Sequence, residues 1–189
     1  MCAEEHVAKL PPHREAVFRT DSATINGRDN LLAQVRDTPE GTVTYVDCLS
    51  ADYSASALDE LLVAGVLTHI SAGILGSRRV VLRNVSAGTL DELRFLLERV
   101  KGRKLAVLAE PSTGTMMALI GDIGAKLRQT WEAVQGSSVS APETAERFGI
   151  SPNAAHNRLN ELERLGLVWR AEPDGSLAAE AHVRWRAVP

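Results

Sequence analysis

Cysteine, aromatic residues and unbroken apolar runs are all scarce in this 189-residue chain, and each shortage excludes something. The two cysteines, Cys2 and Cys48, cannot make a disulfide scaffold, and no Cys-x-x-Cys or His-x-x-x-His spacing supplies metal ligands. Cys48 lies inside an apolar strand pattern, the setting of a buried and inert thiol. Histidines 6, 13, 69, 156 and 182 are scattered, with no clustered carboxylates beside them, so no metal and no other cofactor is expected. The longest mainly apolar stretch, Ala57 to Leu75, is broken by Asp59, Glu60 and His69 and is too polar for a membrane span. "MCAEEHVAKLPPHREAV" has no basic segment leading into an apolar core, and a cytoplasmic protein is expected. Nor is there an excess of one charge: the formal net charge is -3, and 44% of residues are hydrophobic against 24% charged, the balance of a folded globular chain.

What is present alternates. "AVFRTD", "GTVTYVDCL", "RRVVLRNV" and "KLAVLAE" are rich in β-branched residues and read as strands. Between them, Leu31, Leu32 and Val35 share one helical side. Leu58, Leu61, Leu62, Val66, Ile70 and Ile74 line a longer helix, and Leu90, Leu93, Leu97 and Val100 a third. Strands alternating with helices predict a mostly parallel sheet with helices packed on it, an α/β domain over residues 12–111. Leu119, Ile123, Leu127 and Trp131 recur every four residues, which predicts a linker helix within 112–135 that is also the first helix of the C-terminal domain.

From 136 to 189 the spacing becomes specific. Ser140 with Glu143 forms a capping box, with Pro142 in the first turn. Gly149 supplies a tight turn and Ser151 caps a second helix, whose Ala155, Leu159 and Leu162 face inward. Asn153, Ala154, His156, Asn157 and Arg158 are left outward. Two strand-like runs come next, "LVWRAE" and "SLAAEAHVRWRAV", joined at "PDGS". Helix, turn, helix and hairpin in this order resembles the winged helix-turn-helix regulators of MarR and ArsR type. The resemblance implies a helix from Ser151 to Leu165 laid into the major groove of double-stranded DNA, with a wing against the backbone. Ser151, Asn153, Ala154, His156, Asn157 and Arg158 then meet bases and phosphates, and His182, Arg184 and Arg186 lie on the phosphate side of the wing, opposite Val183 and Trp185. It also implies a homodimer, because operator half-sites mirror protein symmetry. Charge argues the other way: Met116 to Pro189 holds 8 Lys/Arg against 9 Asp/Glu, where DNA-binding domains show a clearly basic face. A winged helix kept for dimerisation or protein docking is the alternative.

"TVTYVDCLSADYSASALDELLVAG" followed by "RRVVLRNVSAGTLDELRFLLERVKGRKLAVLA" resembles STAS-like domains, although "DYSASALDE" stands where that family's antagonists carry Asp-Ser-Ser-Gly. The resemblance implies a sensing or docking module with a protein partner, and phosphorylation at Ser56 or, second, Ser54. A serine before "ALDELL" also suits a helix cap. No phosphate cradle, Gly-x-Ser-x-Gly elbow or nucleophile with a histidine partner appears, so no enzyme is expected. Asp47, Asp52 and Glu110 are placed near one sheet edge, and Arg78, Arg79, Arg83, Arg103 and Lys104 at the opposite end, as a solvated rim or a surface for an acidic partner.

Overall fold

The computed structural model describes residues 14–19, 25–49, 53–100, 104–114, 116–171 and 183–189. Four strands, β1 (Arg14–Arg19), β2 (Thr42–Asp47), β3 (Arg79–Val85) and β4 (Val107–Pro111), pair in parallel in chain order, and β5 (Ala118–Ile120) adds antiparallel to β4. The chain is therefore α/β with a mostly parallel sheet, as the alternating pattern predicts. Helix α1 (Ile25–Asp37) joins β1 to β2. Between β2 and β3 lies one continuous helical segment: α2 (Ala55–Leu58), a π-helical stretch (Asp59–Leu67) and α3 (Thr68–Ser71). Helix α4 (Ala87–Arg99) joins β3 to β4. The Thr68 hydroxyl donates to the Val63 carbonyl at 2.7 Å, five residues back, in step with the wider π winding.

Strand residues alternate between two cores. Val46, Val80, Leu82, Val107 and Ala109 pack with Leu31, Val35, Leu61, Val66, Leu93 and Leu97 of the connecting helices. Val43, Tyr45, Val81 and Leu108 point the other way and are covered by the C-terminal part of the chain. Burial on both faces explains why these strands read as near-continuous apolar runs.

That covering part begins with a correction. The expected helix over 112–135 is instead β5, a loop, and α5 (Ala125–Val134). Leu119 belongs to the second core and Ile120 to the first, the alternation of a strand that a four-residue spacing conceals. Gly121, at φ 120° and packed so closely that a Cβ would fall 2.4 Å from the Leu105 carbonyl oxygen, ends the strand in a conformation no helix contains. β6 (Val139–Ser140), α6 (Ala141–Phe148), α7 (Pro152–Arg164), β7 (Val168–Ala171) and β8 (Arg184–Ala187) complete the chain, and β6, β8 and β7 form a second, antiparallel sheet in that spatial order. The predicted helix, turn, helix and paired strands are thus present as elements. The "PDGS" turn and His182 lie outside the described residues.

Leu159, Leu162, Leu165, Val168, Trp169 and Trp185 share one core with Val43, Val81 and Leu108 of the large sheet, so the two sheets are parts of a single packed body. Leu159 and Leu162 are fully buried, and truncating either to alanine costs about 2–5 kcal/mol. Among the described residues no helix is long and apolar enough to cross a membrane.

Candidate nucleic-acid interface

Helix α6 starts at a complete capping box: the Ser140 hydroxyl accepts from the Glu143 N–H at 3.3 Å, and the Glu143 carboxylate accepts from the Ser140 N–H at 2.7 Å. It ends at Gly149, whose φ of 60° and ψ of 39° turn the chain in the left-handed region that favours glycine. Ser151 then caps α7, its hydroxyl accepting from the Ala154 N–H at 3.2 Å. Ala155, Leu159 and Leu162 fix which side of α7 faces inward.

The outward side differs along its length. Ser151, Asn153, His156 and Asn157 are exposed, and Ala154 and Arg158 are half-buried. The Arg158 guanidinium lies over the Phe148 ring at 5.8 Å, and the His156 ring meets Trp185 edge-on with centroids 5.4 Å apart. Past Arg158 the helix is tied down. Glu161 pairs with Lys104 at 2.8 Å, and just beyond the helix a Cβ on Gly166 would come within 2.9 Å of Ile70. The Trp169 indole N–H donates to the Ser77 carbonyl at 2.9 Å. Arg79, 3% exposed, donates to the Gly76 and Arg78 carbonyls at 2.8 and 2.9 Å and reaches the Val168 carbonyl at 3.5 Å. Burial pulls the Arg79 guanidinium down to about 10, still far above neutrality, so a charged group sits beneath this junction.

β8 departs from the expected pattern. Trp185 is buried as its alternation requires, yet Arg184 and Arg186 do not project freely from the opposite side. Arg184 is held by Glu143 at 3.0 and 3.1 Å and by the Ser138 hydroxyl and carbonyl at 3.1 and 2.7 Å. Arg186 is half-buried over Trp169, at 4.9 Å from the ring centroid. The reason is the register, which sets Arg184 against Ser140 and Arg186 against Trp169, beside a carboxylate in one case and an indole face in the other. Burial pushes the Glu143 carboxyl up, but the Ser140 N–H and the Arg184 guanidinium outweigh it, holding the group below the ordinary carboxylate range.

At the carboxyl edge of the large sheet, Arg83 lies over Tyr45 at 3.8 Å and pairs with Glu110 at 3.0 Å, while Asn84 donates to Asp47 at 2.8 Å. Asn84, a non-glycine residue, has a left-handed φ of 58° where β3 bends out of register with β4. Strand order never reverses among β1 to β4, so among the described residues the sheet has no switch point of the kind at which doubly wound sheets open a crevice. The expected basic rim is also corrected. Arg83 stands at the carboxyl edge, Arg78 pairs with Glu40 at 2.6 Å, Arg79 is buried, and Lys104 pairs with Glu161; Arg103 and Asp52 lie outside the described residues. The basic side chains placed at that end are thus matched by the chain's own carboxylates and carbonyls. Ser54 caps α2, accepting from the Ala57 N–H at 3.3 Å, and Ser56 is exposed in that helix's first turn. Cys48 is 5% exposed, and burial pushes its thiol up to about 12, consistent with an inert group.

Sequence spacing misses the Lys104 contact to α7 and the Arg79 and Trp169 contacts that seat β7 just after it. They join residues far apart in the chain, and no local pattern signals them. Compared with known proteins, the chain matches no family model, no curated protein and no solved structure.

Proposed function

We propose that this chain is a DNA-binding transcription regulator of winged helix-turn-helix type, in which the STAS-like sheet is a sensing or docking module. The observation that carries the reading is the half-exposed α7: its N-terminal portion offers Ser151, Asn153, His156 and Asn157 outward, while Ala155, Leu159 and Leu162 anchor it. A helix held this way, directly after a glycine turn and beside paired strands, has the form and chemistry that major-groove reading needs. Arg158 supplies a cation next to that surface. The module acts as a homodimer so that two such helices meet two half-sites. A signal reaches α7 through Lys104, paired with Glu161, and through β7 just after the helix, held at Ser77 and Arg79, since α5 is short and packs one side into the core.

Fluorescence anisotropy with a mixed-sequence duplex across a salt series tests this. Expected is binding that falls steeply with salt, with a shallower slope and several-fold weaker affinity in Arg158→Ala. Absence of binding even at low salt overturns the reading. The protein-docking alternative draws on a separate observation: Arg170 and Arg184 are spent on Glu163 and Glu143, which leaves the phosphate side poorly supplied with cations.

A further inference from the structure

We propose that the cleft between α5, α6 and β8 binds a small organic carboxylate with a compact apolar body. A cavity of about 230 Å³ lies there, room for about eight water-sized groups at roughly 30 Å³ each. Its lining is of two kinds: Val134, Val139 and Phe148 are apolar, and Arg147, Arg184 and Glu143 are charged. Two guanidiniums against one carboxylate leave one positive charge uncompensated among the lining residues, so an anion suits the site and a cation does not.

The spare donors belong to Arg147. Arg184 is consumed by Glu143 and Ser138, whereas Arg147 makes one described hydrogen bond, to the Ala133 carbonyl at 3.0 Å. A guanidinium has five N–H donors in a planar fork that matches a carboxylate. A ligand carboxylate on that fork places its apolar body against Val134, Val139 and Phe148, where a free inorganic anion gains nothing. The choice of an organic acid over a simple anion rests on this apolar part of the lining. No residue of α7 lines the cleft, which borders that helix where Arg158 lies over Phe148, and binding of the acid is measured without DNA, so the site stands or falls separately from the proposed regulator function.

Titration calorimetry of the full chain with cyclohexanecarboxylate, a nine-heavy-atom acid, is the direct probe, with cyclohexanecarboxamide and sulfate as comparisons. Expected is saturable one-to-one binding of the acid, lost with the amide and with sulfate. Arg147→Gln is expected to weaken it about tenfold or more, and Ala133→Leu, which adds bulk at a lining position and keeps the guanidinium, to weaken it as well. Both variants are compared only after their melting curves show a folded protein. The proposal is overturned if the acid shows no saturation at about 10 mM, a level well above a Kd of about 1 mM. It is equally overturned if amide or sulfate binds as well as the acid, or if both variants bind like wild type.

Discussion

On one face of the large sheet, cover comes from α1, the α2-to-α3 segment and α4, each the connection between two neighbouring parallel strands; on the other, it comes from residues gathered from β5 to β8. The first core is assembled by contacts between segments adjacent in the chain. The second joins Val43 to Trp185 and Val81 to Leu159, bringing together strands and helices from opposite ends of the sequence. The difference shows how one helix can be rigid and exposed together: the C-terminal end of α7 is sunk in the second core, and its N-terminal portion keeps Ser151, Asn153, His156 and Asn157 exposed.

The sharpest way to break this comparison uses the tryptophans, because Trp131, Trp169 and Trp185 all lie in the second core. Leu93→Ala on the helical face and Leu159→Ala on the other face each empty a fully buried site and are expected to cost about 2–5 kcal/mol. If the body unfolds as one, Leu93→Ala lowers the tryptophan-fluorescence midpoint in urea as much as the far-ultraviolet dichroism midpoint. Two independent domains would leave the fluorescence transition where it was.

Smaller in effect, Gly166→Ala places a methyl group against Ile70 at a residue with φ 77°, and is expected to cost about 1–3 kcal/mol. Tryptic cleavage at Lys104 and Arg164 should quicken as the docking loosens. Unchanged cleavage would mean that the Gly166 contact does not hold α7 in place.

The smallest effect concerns Glu143, whose folded value lies below its unfolded one near 4.5. Its contribution to stability is therefore complete above that value and lost as pH falls through the folded one. Glu143→Gln should flatten the loss of stability below about pH 4.5, read by thermal melts, and leave the profile above about pH 6 parallel to wild type. A wild-type acid limb in the variant would show that the tie among Ser140, Glu143 and Arg184 adds nothing.

Much of this architecture is legible in the residues alone. Period-two and period-3.6 patterns place β1 to β4 and the helices between them, and Ser140, Glu143, Gly149 and Ser151 place α6 and α7 by local capping chemistry. β5 is hidden because Leu119, Ile123, Leu127 and Trp131 all enter one core at a helical spacing although a strand, a loop and a helix carry them. The outward set Ser151, Asn153, His156 and Asn157 can be inferred from inward-facing neighbours on the same helix. The engagement of Arg184 and Arg186 cannot, since it depends on strand register and on partners such as Glu143, 41 residues away. Sequence spacing reports which side of an element is apolar, but not which distant group meets the polar side.

Amide hydrogen exchange of the full chain, with and without a mixed-sequence DNA duplex at low salt, tests most directly whether α7 is docked at one end and reads DNA with the other. Expected is slow exchange over 161–169 in both states, with protection gained over 151–158 when the duplex is added. Fast exchange over 161–169 in the free protein, or protection gained elsewhere while 151–158 is unaffected, would contradict it.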